Sequence, residues 1–203
     1  MLNFKKIDFE LYNNNWEAEQ NVLLKNPIEG LYKSYGTLHN EIKKRTKTIP
    51  INNEDLFEII LLIQKWGGST GRYFFIKRNR LSYFEELKKS KDLIEIYLNA
   101  AKLAMKSEPQ SFTEFCKIPG IKESFAGKHA YFWSTNTKPL IIVDKLLSEY
   151  FGHQTPKALF GECNGYAKLI EIFYEKCTDF NLKSILVLER GIFQYTREQS
   201  RVR

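Results

Sequence analysis

Four neighbouring pieces of sequence decide the fold: Ile118-Pro-Gly-Ile121, Lys122-Glu-Ser-Phe-Ala-Gly-Lys128, His129-Ala-Tyr-Phe-Trp133 and, after a polar turn, Pro139-Leu-Ile-Ile-Val-Asp144. Ahead of them, Ser111 is followed three residues later by Glu114. This is the spacing of a capping box, so we expect a short helix from there to about residue 117. The Pro-Gly pair predicts a turn, and the aromatic piece predicts a second helix. Together they predict a helix-hairpin-helix segment at about 112–134.

A turn that reads hydrophobic-Pro-Gly-hydrophobic between two short helices suits contact with an anion. Glycine has no Cβ to hold a phosphate away from the backbone. The second helix offers its free N–H groups and the positive end of its dipole. Such a contact positions a protein on a duplex without reading the bases. We therefore predict that Pro119, Gly120, Ile121 and Gly127 contact a DNA backbone.

Two lysines and an aspartate follow the predicted turn, and they suggest chemistry. The charged form of a lysine near a helix N-terminus is disfavoured by the dipole, which helps to supply a neutral amine. A neutral amine can attack the C1′ atom of a sugar and form a Schiff base. An aspartate at the start of the next helix can stabilise positive charge on the sugar or take a proton. Lys128 or its rival Lys122 could supply such an amine, and Asp144 is the aspartate at the start of the next predicted helix.

The same residues resemble the helix-hairpin-helix DNA glycosylases, most of all the bacterial 8-oxoguanine DNA glycosylase-like proteins. Their pattern reads Phe-Ala-Ser-Lys, then a helix with an aromatic residue, then Pro-Ile-x-Asp. Here Phe125-Ala-Gly-Lys128 and Pro139-Leu-Ile-Ile-Val-Asp144 stand in its place. Leu188-Glu-Arg-Gly-Ile-Phe193 resembles their closing helix, which often reads Glu-x-Ala-Leu-Phe. The resemblance covers about 112–199 and leaves the N-terminal half outside it.

The resemblance implies a mainly α fold of two helical lobes with a cleft between them. It implies an enzyme that flips a damaged base out of DNA and cleaves its N-glycosidic bond. The substrate would be an oxidised purine such as 8-oxoguanine, removed with or without a following AP lyase step. Lys128 takes the place of the nucleophile and Asp144 that of the catalytic aspartate. Three features depart from the pattern: Lys122 replaces a glycine after the hairpin, Gly127 replaces a serine, and the Lys-to-Asp spacing is slightly shorter.

Three aromatic residues and one arginine complete the predicted site. Phe132, Trp133 and Phe193 are candidates to stack on an extruded base, although aromatic residues at helical spacing more often belong to a core. Arg72 is a candidate phosphate contact or part of an ordinary solvated loop.

The composition limits the partners and cofactors. A formal net charge of +7 and a pI of about 9.2 suit a polyanion, here double-stranded DNA containing a modified base. The three cysteines form no Cys-x-x-Cys pair and the three histidines are scattered. We therefore expect buried cysteines, no disulfide framework, no metal site and no cofactor. The longest apolar run, at 59–63, is too short to span a bilayer, so we expect a cytoplasmic protein without a membrane partner.

Hydrophobic periodicity predicts the organisation of the rest. Residues 1–50 show no clear period, and we expect an irregular segment with at most one short helix, packed on the core. From 51 to 203 we expect a helical region, with helices at about 54–66, 91–105, 144–151, 166–177 and 182–197. Only 73–77 and 140–143 resemble strands.

Two other functions are compatible with these residues. One is a non-catalytic DNA-binding module that kept the scaffold, as a subunit of a repair or phage-defence assembly with a partner protein. The altered hairpin and the shorter Lys-to-Asp spacing favour it. The other is a protein–protein adaptor that uses an aromatic-rich surface.

Overall fold

The computed structural model describes residues 2–21, 23–28, 32–67 and 82–202. Within these ranges the chain is mainly α-helical, as predicted, with eleven helices and one two-stranded antiparallel sheet. The elements in chain order are α1 (Phe9–Glu19), β1 (Leu23–Ile28), β2 (Tyr32–Ser34), α2 (Tyr35–Arg45), α3 (Asn53–Trp66), α4 (Tyr83–Lys89), α5 (Lys91–Met105), α6 (Gln110–Cys116), α7 (Glu123–Trp133), α8 (Lys145–Tyr150), α9 (Pro156–Cys163), α10 (Tyr166–Asp179) and α11 (Ile185–Val202).

The chain divides into two compact units. The first unit consists of Met1–Val22 and Ile141–Arg203, and the second of Leu23–Leu140. We expected a boundary near residue 50, but the divisions lie after Val22 and after Leu140. The reason is tertiary packing, because α1 packs on α11, whereas α2 packs on α3 and α7. The first 50 residues therefore contribute to both units.

In the second unit, α3 and α5 follow the sequence prediction closely. The side-chain oxygen of Asn52 accepts a hydrogen bond from the N–H of Asp55 (2.9 Å) and caps α3, which ends at Trp66. The apolar face of α3, including Ile59 and Ile63, is buried. α5 begins at the predicted residue because the Ser90 hydroxyl caps it in the same way.

The predicted cap of α6 at Ser111 is wrong. Pro109 occupies the N-cap position with a backbone that is already helical (φ −60°), so the helix begins at Gln110. The Ser111 hydroxyl lies inside the helix and donates to the carbonyl of Glu108 (2.7 Å). The end of α6 at Cys116 agrees with the expected end near 117.

The first 50 residues are more regular than predicted, since they form α1, a hairpin of β1 and β2, and α2. α1 is capped by the carboxylate of Asp8. α2 has a capping box in which Ser34 and Thr37 bond each other's backbone N–H groups. These short helices bury few apolar residues of their own, which explains why hydrophobic periodicity did not find them.

In the first unit, the helices predicted at 144–151, 166–177 and 182–197 are confirmed as α8, α10 and α11. α9 was missed, although Thr155 caps it and Pro156 occupies its first turn. Residues 141–143 form no strand; they are buried, and the hydroxyl of Tyr166 donates to the carbonyl of Ile141 (2.7 Å). The other predicted strand, 73–77, lies outside the described residues.

None of the helices in the described ranges combines the length and the hydropathy that crossing a bilayer requires. The three cysteines are free, but only Cys163 and Cys177 are buried; Cys116, expected in the core, is exposed.

Candidate functional site

The predicted hairpin is a tight connection between α6 and α7, which pack against each other. The N–H of Ile118 donates to the carbonyl of Phe115 (3.1 Å), and the N–H of Ile121 donates to the carbonyl of Ile118 (3.0 Å). Ile118 and Ile121 are each about 1% exposed and anchor the turn, whereas Pro119 is exposed. Buried isoleucines thus hold the turn in place while its apex faces solvent.

Gly120, at the apex of this turn, has a left-handed backbone (φ +83°). A Cβ atom on this residue would stand 2.5 Å from Cδ2 of Tyr83, in α4. Both observations require glycine at this position. The fold alone therefore explains Gly120, whether or not its N–H contacts a phosphate.

The N-terminus of α7 differs from most other helix starts in this protein. Lys122 holds the N-cap position, and no side chain among the described residues caps this end. By contrast, Asn52, Ser90 and Asp144 cap α3, α5 and α8. The first turn of α7 thus offers N–H groups without a side-chain cap, next to the exposed cation of Lys122 and the half-buried carboxylate of Glu123.

The two candidate lysines have different surroundings. Lys122 is exposed at the helix start, whereas Lys128 is only 8% exposed in the second turn of α7. The Nζ atom of Lys128 lies 2.9 Å from Oγ and 3.4 Å from the carbonyl oxygen of Ser124. It also lies 4.8 Å from the ring centroid of Phe125. The side chain of Lys128 therefore runs back along α7, and its amine lies beside the first turn.

Next to Lys128, His129 belongs to a buried polar network. Its Nδ1 atom lies 2.8 Å from the hydroxyl of Tyr97, and its Nε2 atom lies 3.2 Å from the amide nitrogen of Gln64. Trp133 Nε1 donates to the same Tyr97 hydroxyl (3.1 Å). Burial, together with the charge of Lys128, lowers the pKa of His129 to about 3. His129 is therefore neutral and ties α7 to α3 and α5.

The predicted base-stacking residues on α7 lie in the core. Phe132 and Trp133 are each about 1% exposed. The Phe132 ring packs edge-on against Trp66, with ring centroids 5.0 Å apart. These contacts are ordinary core packing, so neither ring presents a face for an extruded base in this arrangement. Phe193, on α11 in the first unit, is half-buried.

Sequence reasoning missed the residues that hold the C-terminal end of α7. Lys43 Nζ donates to the carbonyls of Tyr131 (2.6 Å) and Ser134 (3.1 Å). The hydroxyl of Thr46 donates to the carbonyl of Phe132 (2.7 Å). A cation at the negative end of a helix dipole is stabilising. These contacts fix α7 at the end opposite to the hairpin.

Asp144 and the remaining predicted residues lie elsewhere. The carboxylate of Asp144 accepts from the N–H of Leu147 (3.1 Å) and caps α8, so it belongs to the first unit, whereas Lys128 belongs to the second. Gly127 is buried inside α7. Arg72 lies outside the described residues.

This chain matches no family model, no curated protein and no solved structure. The likeness to the helix-hairpin-helix glycosylases thus rests on the motif residues alone. Among the described residues, no group of three or more histidine, cysteine or acidic side chains is arranged to hold a metal ion. The candidate site is therefore the hairpin with the amine of Lys128 beside the first turn of α7.

Proposed function

We propose that this protein is a DNA glycosylase that removes an oxidised purine from double-stranded DNA, with Lys128 as nucleophile. The observation that carries the proposal is the position of the Lys128 amine. It is largely shielded from solvent and lies beside the first turn of α7, immediately after the hairpin. At this position the ammonium donates to the hydroxyl and the carbonyl of Ser124 and lies over the ring of Phe125, so it must lose a proton before it can act as a nucleophile. The same end of α7 is where a phosphate would bind.

The proposed reaction uses the amine directly. The ammonium of Lys128 first gives up a proton to water, and the amine then donates its lone pair to C1′ as the N-glycosidic bond breaks. The base leaves with the bonding electron pair and takes up a proton from water. The lysine nitrogen then loses a second proton to water, its lone pair forms the C=N bond as the C1′–O4′ bond breaks, and O4′ takes up a proton, which gives a Schiff base. Water hydrolyses this intermediate, or β-elimination at the 3′ phosphate completes an AP lyase step.

The hairpin supplies the proposed DNA contact. The exposed Pro119, the uncapped N-terminus of α7 and the cation of Lys122 face solvent together. Backbone N–H groups and one cation can bind a single phosphate, but they do not distinguish one base from another. We therefore assign the hairpin to positioning. We also propose the two-lobed fold with a cleft that the glycosylase resemblance implies.

Asp144 is the second proposed catalytic residue. By the resemblance, its carboxylate stabilises positive charge on the sugar or accepts a proton.

A reaction panel tests the proposal. The protein is incubated with duplexes that contain one oxidised, alkylated or deaminated base, with and without borohydride, and both base release and covalent adducts are measured. We expect release and trapping with oxidised purine, and loss of both in Lys128→Gln. Lys168→Gln is the matched control, since that lysine is exposed on α10 and pairs with Glu171; Lys122→Gln, the rival nucleophile, should retain trapping at saturating duplex. Absence of base release from every duplex would overturn the proposal.

A second candidate function is DNA binding without catalysis, as a subunit of a repair or phage-defence assembly with a partner protein. Two observations favour it: Asp144 is engaged as a helix cap, and Phe132 and Trp133 are core residues. Salt-dependent duplex binding without base release from the panel would support this alternative.

A further inference from the structure

Ser124 is half-buried in the first turn of α7, about one helical turn before Lys128. Residues four apart on a helix lie on the same face. Helical side chains lean towards the N-terminus, which brings the long side chain of Lys128 over Ser124. The separation of 2.9 Å between Nζ and Oγ is that of a charge-assisted hydrogen bond.

We infer that Ser124 is a positioning residue for Lys128, and the inference rests on the proposed function. Without a partner in the first turn, a lysine side chain samples many rotamers, because it has four rotatable bonds. The hydroxyl and carbonyl of Ser124 select the rotamer in which the amine lies at the hairpin end of α7. The ring of Phe125 closes one side of this position, with its centroid 4.8 Å from Nζ.

This arrangement links the two parts of the proposed site. Lys128 itself is in the second turn, where the helix dipole has little influence. The hydrogen bond to Ser124 places the amine of Lys128 beside the first turn, where a phosphate bound by the hairpin would also lie. The spacing Ser-x-x-x-Lys therefore converts a mid-helix lysine into one that acts at the helix N-terminus.

Two variants separate positioning from simple loss of packing. Ser124→Ala removes the hydroxyl but keeps a good helix former, and Ser124→Thr retains a hydroxyl. At saturating oxidised duplex, we expect the single-turnover trapping rate of Ser124→Ala to fall about a hundredfold, the effect of a misplaced reacting group. DNA affinity should stay unchanged, and Ser124→Thr should recover most of the loss. A trapping rate in Ser124→Ala equal to that of the native protein would overturn the inference.

A second measurement does not depend on activity. Reductive methylation followed by peptide mapping gives the modification rate of Lys128 relative to the exposed Lys122 in the same molecule. We expect Lys128 to react several-fold faster in Ser124→Ala and at the native rate in Ser124→Thr. Equal rates in all three proteins would overturn the inference, even if the native protein traps DNA. If the native protein traps no DNA but the labelling rates differ as expected, the proposed function fails and the role of Ser124 in placing the amine stands.

Discussion

Gly191 of α11 lies directly against the backbone of Phe9 in α1: a Cβ atom on residue 191 would stand 2.8 Å from the Phe9 carbonyl oxygen. The glycine thus belongs to the closest approach of two packed helices in the first unit. It also lies within Leu188-Glu-Arg-Gly-Ile-Phe193, the late motif quoted for the glycosylase resemblance. Close packing in this unit is a sufficient reason for a glycine there.

Gly191→Ala should destabilise the protein. The added methyl group meets backbone rather than a flexible side chain, and overpacking of this kind costs about 1–3 kcal/mol, which exceeds the roughly 1 kcal/mol that alanine gains in helix propensity. Gly161→Ala in α9 is the matched control, because nothing lies within 4 Å of its Cβ position. Urea unfolding should show a lower stability for the first variant and an equal or higher one for the second. Stabilisation of both would contradict the close packing.

Replacement of Lys43 should loosen α7. Lys43→Met keeps the aliphatic stem but removes the ammonium that bonds the carbonyls of Tyr131 and Ser134. Hydrogen bonds to charged groups contribute about 1.5–3 kcal/mol, so we expect a loss of that order in the free energy of unfolding. Lys44→Met, at the exposed neighbouring position, should change stability by less than about 0.5 kcal/mol. Equal effects of the two variants would refute the capping role of Lys43.

The buried His129 should make stability depend on pH. Its pKa in the folded protein is about 3, below the ordinary value of 6.5. Between pH 3 and pH 6.5, His129 binds a proton in the unfolded chain but not in the folded protein. The contribution of this histidine to the free energy of unfolding is therefore full above about pH 6.5 and is lost as the pH falls towards 3. The expected slope reaches about 1.4 kcal/mol per pH unit.

The measurement compares unfolding at pH 7 and pH 5 for the native protein and His129→Asn. We expect the native protein to lose about 2 kcal/mol more than the variant over this interval. NMR of the native protein provides a check that needs no substitution, since the ring resonances of His129 should not titrate between pH 7 and 5. A titration midpoint near 6.5 would contradict a neutral, buried imidazole.

The hairpin should contribute to DNA affinity through phosphate. Lys122→Gln removes one exposed cation beside the uncapped end of α7. Binding should weaken on all duplex sequences alike, and the slope of log K against log salt should become less steep by about 1. Lys168→Gln is the control, because that lysine lies on α10 of the first unit and pairs with Glu171 (2.8 Å). An unchanged slope in Lys122→Gln would remove the hairpin from the DNA contact.

The sequence predicted those features that depend on neighbouring residues. α3 and α5 begin within one residue of their predicted starts, because their caps, Asn52 and Ser90, act within a single helical turn. The turn at Gly120 follows from a local Pro-Gly pair. The Ser124–Lys128 contact was not predicted, although it is equally local, since a spacing of four residues on a helix places both on one face.

Features that depend on distant residues were not predictable in the same way. His129 is held by Tyr97 and Gln64, which come from two other helices. The C-terminal end of α7 is held by Lys43 of α2, which is about 90 residues away in sequence. The assignment of α1 to the first unit follows from its packing on α11, far away in sequence.

The most direct test of the central proposal identifies the residue that carries a trapped sugar. The protein is reacted with an 8-oxoguanine duplex in borohydride, the DNA is digested, and the modified peptide is sequenced by mass spectrometry. We predict a single adduct on Lys128, absent from Lys128→Gln and retained in Lys122→Gln. An adduct on Lys122, or no adduct on any residue, would contradict the account.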